Sequence, residues 1–316
     1  MPVTQSPVTL RVGSRDSKLA LAQTELIIGE LKKAHPQLTI ELSTMKTIGD
    51  KRQDVAMSKI GDKGLFTKEL ETGLSENTID VVVHSLKDIP TQLPENMLLA
   101  AIHGRADPRD CVIMAPRNQG KKLEDLAEGS VIGTGSVRRV AQLRRQYPHL
   151  EFADVRGNLN TRLAKLDAPD SVYDALVLAV AGIERLQLGA RIAHALDTVL
   201  YAVGQGALGV EVRADDVQTR ELVACLNSRS VRLECLAERE VMRVLEGGCS
   251  VPIGVRSTWD GEQLEVKCIV ASPDGSQAVE AGTAAQVTND DQARALGVQV
   301  AALMRERGAD AVLKAI

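Results

Sequence analysis

Three short segments carry side chains whose types and spacing suit chemistry. His84-Ser85-Leu86-Lys87-Asp88-Ile89-Pro90 follows directly on the run Asp80–Val83. Ligands of α/β sheets gather at the carboxyl ends of strands, so polar groups placed here face the expected cleft. Asp88 is then a candidate acid, base or hydrogen-bond acceptor; a plain turn aspartate ahead of Pro90 is the alternative. The second signal is a set of arginines. Arg15 follows the first expected strand, Arg138 and Arg139 open a helix behind Gly133-Thr134-Gly135-Ser136, Arg156 sits before Gly157-Asn158, and Arg162 lies one turn into the next helix. Strand ends and first helical turns already favour anions, and guanidinium forks add bidentate contacts to carboxylate or phosphate. Arginines at a helix start are unfavourable unless an anion compensates. A solvated charged face explains any one of them, but five at equivalent positions point to a site for an acidic ligand.

The third segment is Glu246-Gly247-Gly248-Cys249-Ser250-Val251-Pro252. Two glycines after a long helix leave little steric cover, so Cys249 is expected to be the accessible thiol. A small residue in a tight loop is the other reading. Cys225 and Cys235 lie among leucines at helical spacing, and Cys111 and Cys268 sit in β-rich runs, so these four are expected in the core. A cysteine peptidase would need a histidine in reach, and only His84 is near the expected cleft. Lys59 and Gly61-Asp62-Lys63-Gly64-Leu65-Phe66 form a basic, flexible stretch that suits either a cover over anionic groups or an ordinary surface loop.

These groups need elements to hold them. Short β-rich runs alternate with helical patterns over the first two thirds of the chain, which favours α/β architecture with largely parallel sheets. Strands are expected at Val8–Val12, Thr39–Thr44, Ile79–Val83, Leu98–Ile102, Val131–Ile132, Glu151–Val155 and Ala175–Val180. Helices are expected at Lys18–Lys33, stopped by Pro36, and at Thr67–Ser75, Ser136–Gln146 and Asn158–Leu166, the last two opening on residues able to cap. Val203-Gly204-Gln205-Gly206-Ala207-Leu208-Gly209 reads as a crossover before a strand at Val210–Arg213. Helices at Asp216–Leu226 and Ser230–Leu245 follow. Strands at Val251–Arg256, Glu262–Ala271 and Gln277–Thr283 and a helix from Asp290 to Arg307 make the tail a small α+β unit. No internal repeat is visible.

Composition narrows the classes. At 316 residues two or three domains of roughly 100 residues are expected. Six aromatic residues and a net charge of −4 argue against a stacking platform or bulk phosphate-backbone binding, so no nucleic-acid partner is expected. No run long enough to span a bilayer occurs and the first thirty residues lack a secretory pattern, which points to a cytoplasmic protein without a membrane partner. Five scattered cysteines without a C-x-x-C pair suit neither a disulfide framework nor a zinc site, and no metal is expected.

Taken in order, HSLKDIP at 84–90, GTGSVRR at 133–139 and EGGCSVPIG at 246–254 resemble the porphobilinogen deaminase (hydroxymethylbilane synthase) family. RVGSRDSKLALAQ, KGLFTKEL, DPRD at 107–110, RGNLNTRL, ALVLAVAGIERL, VGQGALGVE and SPDG extend the likeness over nearly the entire chain. The resemblance implies an α/β fold: two periplasmic-binding-protein-like α/β domains, residues 1–104 with 205–226 and residues 105–204, plus a C-terminal α+β domain, 227–316. It implies a transferase that condenses four porphobilinogen molecules into linear hydroxymethylbilane with release of ammonia. The implied cofactor is a dipyrromethane, here anchored by a thioether on Cys249, with Asp88 as the catalytic carboxylate. Arg15, Arg138, Arg139, Arg156, Arg162 and Arg185 would hold the acidic side chains, supplemented by Lys87, Ser85, Thr134 and Ser136, with Lys59, Lys63 and Phe66 as a mobile cover. Porphobilinogen is the only partner implied, and a monomer the expected state. Two departures stand out: Asp62 where glycine is expected, and Gly135 where serine is common. A two-lobed solute-binding protein without catalysis would explain the arginines but not the Cys249 loop, and a cysteine transferase acting on another substrate is the third possibility.

Overall fold

The computed structural model describes residues 9–47, 67–245 and 251–315. The chain opens with β1 (Thr9–Arg15), α1 (Lys18–Ala34) and β2 (Thr39–Met45), then α2 (Lys68–Ser75), β3 (Val81–Ser85) and β4 (Met97–Arg105). Ser17 caps α1 by accepting from the Ala20 N–H, and Ala20, Gln23, Thr24, Ile27 and Leu31 form its buried stripe, the spacing that one helical face requires. The chain next crosses into β5 (Asp110–Met114), β6 (Val131–Gly133), α3 (Val137–Gln146), β7 (Glu151–Ala153), α4 (Leu159–Asp167), β8 (Ala175–Ala179), α5 (Val180–Arg185) and β9 (His194–Leu196). It crosses back through residues 201–206 into β10 (Ala207–Arg213). The remainder is α6 (Val217–Val223), α7 (Arg229–Val244), β11 (Ile253–Asp260), β12 (Gln263–Ala271), β13 (Ala278–Gln286), α8 (Asp290–Glu306) and α9 (Ala309–Lys314). Among the described residues no helix is long and apolar enough to cross a membrane.

Two five-stranded sheets result, ordered β2-β1-β3-β10-β4 and β7-β6-β8-β5-β9, with a three-stranded antiparallel sheet β11-β12-β13. Both large sheets have the same plan: two parallel neighbours, then two antiparallel ones. A repeat invisible in the sequence is therefore present in the topology, because strand order depends on where runs are placed and not on which apolar residues fill them. The expectation of largely parallel sheets is corrected for the same reason. β5 and β10 are the strands by which the chain enters the second sheet and returns to the first, and each runs against its neighbours.

Other boundaries shift locally. β9 was not expected, and β5 was signalled only as the β-rich run that holds Cys111; β5 is buried from end to end, so it shows no alternation from which to draw its bounds. Val180 begins α5 and does not end β8, and β7 stops at Ala153. The helix expected over 216–226 ends at Val223 and tightens into a 3-10 turn, Ala224–Leu226. That change of pitch turns Cys225 outward, so it is exposed, whereas Cys111, Cys235 and Cys268 are buried as expected. The tail helix breaks at Gly308, whose φ of +93° is left-handed.

A buried ion cluster fastens the tail to the first sheet. Arg105, at the end of β4, donates to Glu238 Oε1 and Oε2 (2.7 and 3.0 Å) and to Glu234 Oε2 (3.0 Å) on α7, and lies over the Tyr201 ring. Tyr201 in turn exchanges backbone hydrogen bonds with Val255 of β11. Arg144 and Arg145 are exposed yet hold the β12–β13 loop by donating to Pro273 O and Gly275 O.

Candidate active site

The carboxyl ends of β1, β3 and β8 and the first turns of α3 and α4 meet at a groove of about 330 Å³ between the two large sheets. β3 ends at Ser85, and the chain closes at once into a 3-10 turn, Leu86–Asp88. Leu86 is buried against Gly204, where a Cβ would come within 2.9 Å of its Cγ. Just beyond, Arg239 of α7 donates to Ile89 O (3.0 Å) and Pro90 O (2.6 Å). The turn is thus fixed on both sides, which leaves Lys87 and Asp88 in the groove wall. Gln23 of α1 and Ser85 exchange hydrogen bonds of 2.9 and 3.2 Å and form the wall next to them.

Ten of the expected residues line this one groove: Arg15, Ser85, Lys87, Asp88, Ser136, Arg138, Arg139, Arg156, Arg162 and Arg185. Thr134 does not. It is buried behind the groove, where its Oγ1 accepts from the Ser136 N–H at 3.4 Å. Ser136 makes no side-chain cap to α3, contrary to expectation, whereas Asn158 does cap α4. Cys249, Lys59, Lys63, Phe66 and Asp62 lie outside the described residues, although Met242, Val251 and Ile253, on either side of the Cys249 loop, do line the groove. Gly135 also lines it; a Cβ there would stand 2.7 Å from Asp154 Oδ1.

Seven cationic side chains and a single carboxylate, Asp88, face the groove among the described residues. Burial, joined by the like charges of Arg139 and Arg156, pushes the Arg162 guanidinium down to about 10. Burial also lowers Arg185, and it pushes Lys87 down to about 8 even though Asp88 and Asp110 pull the other way. These shifts are the mark of charge held in a desolvated place without enough counter-charge, which an anionic ligand would relieve.

Asp110, at the start of β5, has no accessible surface, and sequence reasoning missed it. Its Oδ2 accepts from Arg138 Nη1 (2.8 Å) and its Oδ1 from Arg139 Nη2 (2.8 Å). Burial alone would raise this carboxyl; the Arg138 and Arg139 charges outweigh it and hold Asp110 well below the carboxylate range. Arg138 also donates to Leu200 O and Arg139 to Val177 O, while Arg139 Nε is buried without a partner. So the anion that two arginines at a helix start demand is in part the protein's own. The only signal for it was DPRD, in which Asp110 is the last residue. Gln205 was quoted within the glycine-rich crossover but not as a site residue. It lines the groove, and its Oε1 accepts from Lys87 Nζ at 3.4 Å.

Two lobes with matching sheets and a cationic groove between them, carrying one carboxylate on a rigid turn, define an α/β protein built to hold a polyanion beside a single acid–base group. Residues 10–221 match the family domain "Porphobilinogen deaminase, dipyromethane cofactor binding domain" and residues 232–306 match "Porphobilinogen deaminase, C-terminal domain". The porphobilinogen deaminase of Nostoc sp. (strain PCC 7120) is 50% identical over 310 residues, 98% of this chain and 94% of that one. That of Synechococcus sp. (strain RCC307) is 50% identical over 98% of this chain and 96% of its own. A looser likeness, 12% identity and a TM-score of 0.45 over 74% of this chain and 96% of the other, is to the methionine binding protein MetQ. This chain belongs to the porphobilinogen deaminase family. Membership separates it from the binding-only alternative, because the family is one of enzymes.

The dipyrromethane named for the matched domain bears carboxylate side chains, and the residues present fit such a group. Among the described residues the groove has cations in excess, and a buried guanidinium N–H, Arg139 Nε, has no acceptor.

Proposed function

We propose that this chain condenses four porphobilinogen molecules head to tail into linear hydroxymethylbilane, releasing one ammonia at each step, with Asp88 as the catalytic carboxylate and Cys249 as the anchor. The observation that carries the proposal is the meeting, among the described residues, of seven cations with one carboxylate in a single groove. Each porphobilinogen brings an acetate and a propionate. Arg15, Arg138, Arg139, Arg156, Arg162 and Arg185, with Lys87, are matched to these by charge, and the guanidinium forks by bidentate geometry as well. Ser85 and Ser136 add neutral donors.

When bound through a thioether to Cys249, the dipyrromethane supplies the free α-carbon that accepts the first substrate unit and stays attached through turnover. Val251, two residues beyond Cys249, lines the groove, which supports an anchor within reach of it. Breaking the C–N bond of a porphobilinogen aminomethyl group in its protonated, ammonium form sends the electron pair out with ammonia and leaves an electron-poor carbon conjugated to a pyrrole N–H. Asp88 accepts that N–H bond, stabilises the positive charge, and takes the proton released when the new C–C bond forms. One carboxylate serves every cycle because its turn is held rigidly by Leu86 and Arg239.

We infer the domain limits as residues 1–104 with 205–226, residues 105–204, and residues 227–316. The return of β10 to the first sheet supports the first of these. Lys59, Lys63 and Phe66 are proposed as a cover, and the working unit as a monomer in the cytoplasm. The test is the intact mass of the purified protein. An excess of two linked pyrrole units is expected, absent from Cys249→Ser, and Asp88→Asn should keep the excess while turnover falls by about 10²–10⁴-fold. A bare polypeptide mass after incubation with porphobilinogen sinks the anchor, and undiminished turnover by Asp88→Asn sinks the acid.

A further inference from the structure

The two crossings between the large sheets lie side by side and are laced together by backbone and side-chain hydrogen bonds, most of them made by Gln205. Ala106 N–H donates to Gly206 O at 3.1 Å, and Arg105 Nε donates to Gln205 O at 3.0 Å. Gln205 Nε2 donates to Pro108 O (2.7 Å) and to Asp110 Oδ1 (2.8 Å), while its Oε1 receives Lys87 Nζ (3.4 Å). The amide can stand only this way round, since the reverse would set its oxygen against two acceptors and its NH₂ against an ammonium. Asp110 therefore accepts from three donors, and all three carry its position into the groove: Arg138 and Arg139 from the second sheet's helix, and Lys87, through Gln205, from the first sheet's turn. Asp110 itself does not line the groove.

We propose that Asp110 and Gln205 are positioning residues for the reaction: together they fix the Arg138–Arg139 pair of one lobe in relation to Lys87, and hence to neighbouring Asp88, of the other. The proposal rests on the reading of the groove given above. Its geometry sets two tasks. Asp110 takes one N–H from each guanidinium and so turns the remaining donors, the unpartnered Arg139 Nε among them, away from itself. Gln205 converts that fixed carboxylate into a fixed acceptor for the Lys87 ammonium, so that groups on the two lobes meet the substrate's two carboxylates in register. A merely structural buried network would not influence the titration of a groove lysine. This one is expected to: burial is the largest influence on Lys87, the charges of Asp88, Arg139, Asp110 and Arg138 act on it as well, and the Gln205 carbonyl accepts from its ammonium.

The experiment compares holoenzymes, each checked for the pyrrole adduct by intact mass, by the pH profile of kcat/KM for porphobilinogen. Asp110→Asn keeps the shape and removes the charge; Gln205→Met keeps the length and removes all three side-chain hydrogen bonds. Each is expected to lower kcat/KM at pH 7.5 by about tenfold or more, chiefly through KM. Each should also move the alkaline limb to lower pH by about half a unit or more, because a lost counter-charge or acceptor favours neutral lysine. If both variants keep the parent's limb, the inference is overturned. Should Asp110→Asn fail to fold, Gln205→Met decides alone: a lowered limb supports the relay and an unmoved one overturns it. A Lys87→Met enzyme that retains the limb also overturns the inference, since the limb then belongs to another group. The groove reading stands or falls separately, on Asp88→Asn.

Discussion

Lys87 is where burial and function can be read with one measurement. The residue lies half-buried in the groove wall, and burial pushes its ammonium down to about 8 from an ordinary 10.5, against the upward pull of Asp88 and Asp110. A lysine lowered in this way is charged below that value and neutral above it, so its attraction for a substrate carboxylate is complete at pH 7 and is lost as pH rises. Acidic groups bound nearby raise it again, which places the limb in the holoenzyme between about 8 and 10.5. Above the limb the protonated fraction, and kcat/KM with it, falls roughly tenfold per pH unit, because kcat/KM reports the free enzyme. Lys87→Arg keeps a cation that does not titrate in this range, so its profile should lose the limb. Lys87→Met should lack the Lys87 limb, any fall that remains near pH 10 belonging to Arg162, and be lower at pH 7.5 by about 10–150-fold, the equivalent of a charge-assisted hydrogen bond of about 1.5–3 kcal/mol. The assay is the initial rate of porphobilinogen consumption from pH 7 to 10.5 at substrate well below KM. A Lys87→Arg profile superposable on the parent's would show that the limb arises elsewhere and that the effect assigned to burial is wrong.

Two further expectations concern the frame around the groove. At Gly206, φ is +90° and a Cβ would stand 2.4 Å from Ala106 O, so Gly206→Ala strains one crossing against the backbone of the other. A loss of about 2–3 kcal/mol and a melting temperature lower by several degrees should follow, and an unchanged melt would contradict the tight approach. Arg105→Met strands Glu238, whose side chain has no exposure, and should cost about 3–5 kcal/mol; Arg105→Met with Glu238→Met should recover most of that loss, because the uncompensated charge is gone. A double variant as unstable as the single one would show that packing, not charge, governs that contact.

Much of the groove was legible in the sequence because its parts are local. A strand end followed by HSLKDIP places Lys87 and Asp88, and a glycine-marked strand-to-helix turn places Arg138 and Arg139. Arg15, Arg156 and Arg162 follow by the same logic, and all of them line one groove. What was not legible is what these groups face across long stretches of chain. Asp110 lies 28 and 29 residues before the two arginines it receives, and Gln205 lies 95 residues after it. No period or propensity encodes such a meeting. Arg138 and Arg139 were therefore read as free sockets when they are half-committed to a buried carboxylate. Strand direction failed for a related reason: β5 and β10 are short and almost wholly buried, and such a run looks the same whichever way it is traversed. Ser136 and Thr134 show the opposite limit, where residue type allows a cap or a ligand contact and only geometry decides that Ser136 makes no cap and that Thr134 stands behind the wall.

The excess of cation in the groove also ties the stability of the protein to its chemistry. The whole chain carries a net charge of −4, so the positive field is local, concentrated where burial makes each charge costly. Arg138, Arg162, Arg185 and Lys87 are all held below their ordinary values with burial the largest cause. Fully neutralising them from within would need further carboxylates, and those would compete with the substrate for the same donors. The fold instead supplies Asp110, which orients two guanidiniums, with Asp88, Asp154 and Glu184 acting on other cations of the groove, and leaves the rest of the compensation to the carboxylates of the ligand. Affinity for a polyanion and the strain of the empty groove are then the same free energy seen from two states, and a substitution that relieves the strain by adding an acid to the groove should stabilise the fold while weakening binding.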